Sequence, residues 1–236
     1  RLAADAPKPI ILMAAGETGY DTLLSAGLGP SVPAIVIESH KQLNDTLDSL
    51  IADTQDIETL ILDAAGGFDK MAQTLVCNRD FQGNWNDEKK GFLSFGADKG
   101  FRATANEWFK TLARLDKLHD LGIVVVILGH AKVQAFKNPL GADYDTYQCD
   151  MNKHSWADTA RWADVVLFGK FFTVIDDENK GKGKGIGGAD RVIYAEGRDA
   201  FTAKNRYDIG ERIDIKPGRE TVWSQVWNAI THTESE

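Results

Sequence analysis

The chain has 236 residues, 43% of them hydrophobic and 26% charged, with a formal net charge of -8, enough to bury one α/β domain with an appendage. No apolar run approaches the roughly 18 residues of a membrane span and no signal peptide is present, so a cytoplasmic protein without a membrane partner is expected. The acidic balance excludes a surface coated all over by nucleic acid but permits a local basic groove.

The chain opens Arg1-Leu-Ala-Ala-Asp-Ala-Pro7 without an initiator Met. This reads as the tail of a helix entering a Pro-bounded strand, and the expectation is a fragment whose true start lies upstream. Residues 9–16 are apolar and are followed at once by Glu17. A Gly-Glu-Thr-Gly turn, a short helix from Tyr20 to Gly27, a brief strand over Ala34–Ile37 and an amphipathic helix over residues 39–53, with Leu43, Leu47, Leu50 and Ile51 at helical spacing, come next.

Glu58-Thr-Leu-Ile-Leu-Asp63 then ends in an acid and glycines. Short apolar runs bounded by turn signals fit strands buried on both faces of a parallel sheet. The same pattern returns at residues 122–129, followed at once by His130. Ligands of such sheets collect outside the carboxyl ends of the strands, so Glu17, Asp63 and His130 are expected around one small site. Two carboxylates and an imidazole suit magnesium-assisted attack of water on a phosphate ester or anhydride. One acid would lie near the metal, one would polarise water, and the imidazole would sense the phosphate. Asp63 could instead cap a helix starting near Phe68.

A helix from residue 68 to 77 leads into a polar insertion at residues 78–100, whose Phe81, Trp85, Phe92 and Phe95 either grip a partner or anchor the loop to its own domain. The longest helical pattern runs from Ala103 to Leu121. After His130, residues 131–155 read as a loop with Lys132, Lys137, Tyr144, Tyr147 and Lys153. Basic groups interleaved with aromatics suit single-stranded DNA, while Asp143, Asp145 and Asp150 leave open a solvated loop. Cys77 and Cys149 form no CxxC pair; Cys149 with His154 lacks further metal ligands nearby. Residues 162–168 and 171–175 read as strands, and 170–196 as a β-hairpin with a Gly/Lys tip at 180–188. Arg198, Lys204 and Arg206 then precede a terminal helix over residues 219–231.

Leu60-Ile-Leu-Asp63, Val126-Ile-Leu-Gly-His-Ala-Lys-Val133, residues 136–145, Trp162-Ala-Asp-Val-Val-Leu-Phe168 and Ala203-Lys-Asn-Arg-Tyr207 together resemble the RecA-like P-loop ATPases of the phage nucleotide-binding, or ATP-binding, protein family. That family is associated with single-strand-annealing recombination, and the resemblance covers nearly the whole chain. It implies an α/β fold with a mostly parallel RecA-like sheet flanked by helices, a C-terminal β-hairpin and a terminal helix, in one ATPase domain. Asp63 resembles the Walker B acid that positions Mg2+, Glu17 the glutamate that activates water, and His130 the γ-phosphate sensor. Lys204 and Arg206 resemble the basic pair that reaches a neighbouring subunit's nucleotide, with Arg198 also assigned to ATP.

The resemblance implies ATP and Mg2+ as cofactors, single-stranded DNA and a recombination partner as ligands, and a homo-oligomeric ring or filament. The chain departs from the pattern in lacking GxxxxGK[ST], which the resemblance puts upstream of Arg1. A non-hydrolysing DNA-binding or scaffold protein and a magnesium-dependent phosphohydrolase or nuclease are the alternatives.

Overall fold

The computed structural model describes residues 2–87, 90–93, 98–176, 184–218 and 220–232. Arg1, Phe95, Arg219 and residues 180–183 of the Gly/Lys tip lie outside them. The chain divides into two compact units, Arg1–Lys132 with Cys149–Trp162, and Val133–Gln148 with Ala163–Glu236.

The first unit is built on a four-stranded parallel sheet in the order β2-β1-β3-β4. β1 (Pro9–Ala14) and β3 (Thr59–Asp63) are central, and β2 (Ala34–Ile37) and β4 (Val124–Ile127) lie outside them. Aliphatic residues at consecutive positions suit central strands because both faces are covered. Ile10, Leu12, Ala14, Leu60 and Leu62 face α2 (His40–Ala52), α3 (Ala65–Phe81) and α4 (Lys99–Asp120). Ile11, Met13 and Ile61 pack instead with the first 3-10 turn and Tyr20 of α1 (Gly19–Ser25).

On α2, Leu43, Leu47 and Leu50 are buried at helical spacing, and the Ser39 hydroxyl accepts from Gln42 N–H at 3.2 Å to cap the helix. Each such leucine contributes about 1.5–3 kcal/mol by leaving water. α4 buries Trp108, Leu112, Leu115 and Leu118, and Trp108 Nε1 donates to Thr159 Oγ1 of α5 (Lys153–Trp162) at 2.8 Å. The polar insertion begins later than residue 78, because α3 runs on to Phe81 before an αL residue, Gln82, stops it.

Residues 131–155 are not a loop. They form β5 (Ala131–Phe136) and β6 (Tyr144–Cys149), paired in a two-stranded sheet, and then enter α5. The β-branched and aromatic residues flanking Asn138-Pro-Leu-Gly141 are a hairpin pattern. Residues 162–168 are likewise not a strand: Trp162 ends α5, and Val166 makes a single bridge to Lys204. Asn152 explains the longer helix, since its side-chain oxygen accepts from His154 and Ser155 N–H and so starts α5.

The second unit carries an antiparallel sheet, β7 (Phe168–Asp176), β8 (Lys184–Tyr194) and β9 (Arg212–Ile215), in that order. The terminal helix α6 (Val222–Thr231) is capped by Thr221, which accepts from Ser224 N–H at 3.0 Å, and it buries Trp223 and Val226. β9 carries little signal in the sequence because Arg-Ile-Asp-Ile alternates over only four residues.

Candidate active site

The carboxyl edge of the parallel sheet carries the acids and the imidazole. At the end of β1 the chain turns tightly: Glu17 N–H donates to the Ala14 carbonyl at 3.0 Å, and Gly16 sits at φ +95, open to glycine at no steric cost. Glu17 is thereby folded back over the sheet edge. His130 follows β4, its carbonyl accepting from Asp150 N–H at 2.7 Å. Its Nε2 lies 3.5 Å from Glu17 Oε2. Asp63 ends the strand between these two and is in register with Met13.

Burial raises the Asp63 carboxyl above the ordinary range; the Glu17 charge adds to this, and His130 pulls it back. The helix-capping role is not the one Asp63 takes. The cap of α3 is Ala64, which makes no side-chain cap bond.

Two glycines at the start of α3 set the spacing. A Cβ on Gly67 would stand 2.5 Å from Ala14 Cβ and 3.9 Å from Glu17 Oε1, and one on Gly66 would strike the Asp150 carbonyl. Helix, strand end and the Asp150 segment are therefore packed backbone to backbone around the edge. A cleft of about 540 Å³ opens there, lined among others by Glu17, Lys41, Gly67, Lys70, His130 and Asp150. Lys41 and Lys70 were missed in the sequence. Lys70 had a signal, three residues beyond Gly67 on the helix that follows the Asp63 strand.

The proposed DNA contacts fall in both units: Lys132 and Lys153 in the first, Lys137, Tyr144 and Tyr147 in the second. Each lysine is paired with an acid. Lys132 meets Asp150 at 3.1 Å, Lys137 meets Asp143 at 2.5 Å, and Lys153 meets Asp98. Tyr144 stacks on Phe136 at 5.1 Å, and Tyr147 on Phe168 at 5.3 Å.

In the second unit Lys204 Nζ donates to the Ala163 carbonyl at 2.5 Å, and Arg206 pairs with Asp164 at 2.5 Å. Burial and then Arg206 lower the Lys204 pKa. Both line a depression of about 470 Å³ with Gly197 and Asp208, and Arg198 pairs with Glu211.

Among the described residues no group of three or more His, Cys, Asp or Glu side chains could hold a metal. The thiol of Cys149 is pushed by burial up to about 11, away from the ligating thiolate. A hard cation that takes one or two carboxylates and completes its shell with phosphate and water fits the Asp63–Glu17 edge; a caged transition metal does not.

A parallel sheet that gathers two acids and an imidazole at its carboxyl edge suits attack of water on a phosphate anhydride. The chain belongs to the AAA domain family, whose pattern it matches over residues 2–207. No curated protein matches it. Among the described residues no helix is long and apolar enough to cross a membrane.

Proposed function

We propose that this protein hydrolyses ATP and couples the reaction to single-stranded DNA in recombination or repair, acting as a homo-oligomer. The observation that carries the reading is the approach of Glu17 to His130, at 3.5 Å, beside a carboxyl on the intervening strand that feels both charges.

Glu17, the acid turned over the sheet edge, orients and polarises the attacking water. His130 would sense the terminal phosphate and, being followed directly by β5, would pass its position into the hairpin. Asp63 would hold Mg2+, which when bound neutralises charge on the phosphates. Lys70 adds positive charge along the cleft wall, while Lys41 beside it is paired with Asp45 at 2.5 Å. By the resemblance to phage recombination ATPases, Lys204 and Arg206 serve a neighbouring subunit's nucleotide.

The test is phosphate release from ATP by the full gene product, with and without Mg2+ and an oligonucleotide. Mg2+-dependent release, stimulated by single strands, supports the reading. DNA cleavage without nucleotide, or nucleotide binding without release, would replace it with a nuclease or a non-hydrolysing binder.

A further inference from the structure

Binding a single strand without reading its sequence makes two demands of a surface: exposed rings on which bases stack, and cations beside them for the phosphates. One face of the C-terminal sheet meets both. Phe168 is opposite Tyr194, Tyr194 is opposite Arg212, and Lys170 is opposite Val192 two positions along. Phe168, Lys170, Tyr194 and Arg212 therefore share a face. Phe172 joins them, its ring 5.9 Å from the Arg212 guanidinium, and Lys170 Nζ stands 5.6 Å over Tyr194.

The rings form a continuous strip. Tyr147 packs 5.3 Å from Phe168, which stacks on Phe201 at 4.6 Å, and Phe201 lies 4.8 Å from Tyr194. Phe201 is the buried floor, whereas Tyr147 and Phe172 are 43% and 39% exposed. Tyr147 is an exposed ring on a packed aromatic floor, and Phe172 is a second exposed ring held by Arg212 on the same face, which differs from scattered surface apolar residues.

The lysines of the β5–β6 region and of α5 are held by acids, but Lys170 lies on a ring, and Arg212 shares its charge between Phe172 and Asp214, 3.2 Å away. Cations resting on rings beside exposed aromatics complement the alternation of phosphate and base along a single strand.

We infer that this face, from Tyr147 to Phe172 and Arg212, is the stacking surface for single-stranded DNA. The inference rests on the reading that the protein acts on single strands, and it moves the binding surface from the hairpin lysines to the sheet.

The experiment is anisotropy of a fluorescein-labelled oligothymidylate titrated with the full gene product. Tyr147→Ala and Phe172→Ala are each expected to weaken binding about tenfold, and Phe172→Trp to restore it. Arg212→Gln should make the salt dependence shallower by about 0.7, the change that follows when one fewer phosphate is neutralised. Phe171→Ala, whose ring lies with Arg191 on the opposite face, should bind as the parent does.

Unchanged affinity in a natively folded Tyr147→Ala/Phe172→Ala double variant overturns the inference and leaves the single-strand reading standing. A change in mass by light scattering with unchanged DNA affinity also overturns it, marking the face as an interface between copies. No binding by the parent protein removes the single-strand reading as well, while ATP turnover measured without DNA still reports on the first unit alone.

Discussion

Asp63 faces Met13 across the parallel register of β1 and β3, one position before the strand's last residue, Ala14, leads into the turn that carries Glu17. The two acids are thus held at one edge by sheet geometry, and the cost appears on Asp63, whose pKa is raised by burial first and by Glu17 second. The native state holds this proton more tightly than the unfolded chain does. Stability is therefore lost as pH rises from the ordinary carboxylate range through the raised native value. Asp63→Asn removes that loss: ligand-free protein becomes more stable at about pH 7, and its stability curve flattens above about pH 4. The same change weakens Mg2+-dependent ATP binding by about 10- to 100-fold, the range for substitutions that disturb a metal site. Urea unfolding at several pH values and nucleotide titration check the two halves.

His40 gives a pH effect of opposite sign. Its ring is closed in a triangle: Nδ1 lies 3.3 Å from Asn44 Nδ2, Nε2 lies 3.1 Å from Thr111 Oγ1, and Thr111 donates to Asn44 Oδ1 at 3.0 Å. This cycle assigns the neutral tautomer with the proton on Nε2. Burial, ahead of the opposed charges of Glu107 and Arg114, lowers its pKa to about 4. Its contribution is present above the unfolded value of about 6.5 and is lost as pH falls toward about 4, on the order of 3 kcal/mol. In His40→Gln, chemical unfolding should show a lower stability at about pH 7 and a much smaller further loss on acidification.

Gly67→Ala would put a methyl 2.5 Å from Ala14 Cβ. Because Ala14 Cβ is fixed to the strand backbone, the strand end must shift, and Glu17 three residues on is expected to shift with it. A loss of about 1–3 kcal/mol by denaturant unfolding is expected, together with slowed ATP turnover. Ala14→Gly in the same chain should recover part of both.

Asp69 ties α3 to the start of α5. Buried to 1% exposure, it accepts from Asn152 N–H at 2.9 Å, Asn152 Nδ2 at 2.7 Å and Gln73 Nε2 at 2.8 Å. Asp69→Ala orphans these donors and loosens the cap of α5. A destabilisation of about 3 kcal/mol is expected in urea melts, with Asp69→Asn costing less.

The parallel sheet is legible in the sequence because strands buried on both faces are unbroken aliphatic runs, and the candidates Glu17, Asp63 and His130 can be placed because a polar side chain follows or ends each run. The cleft walls are hidden for a physical reason. Lys70 and Lys41 lie on helices, where a lysine toward a ligand and one toward water look alike. The hairpin within residues 131–149 reads as a loop because its charges mask its alternation, and the structure pairs Lys132 and Lys137 with acids. The ring strip of the C-terminal sheet depends on pairings between β7, β8 and β9, which no local pattern fixes.

The measurement that bears most directly on the central claim is ATP turnover and nucleotide affinity of Glu17→Gln in the full gene product. The substitution keeps the shape and removes the charge proposed to polarise water. The account predicts a fall in kcat of about 10²- to 10⁴-fold, as for the loss of a general base, with nucleotide affinity changed less than about threefold. Turnover at the parent rate would contradict it.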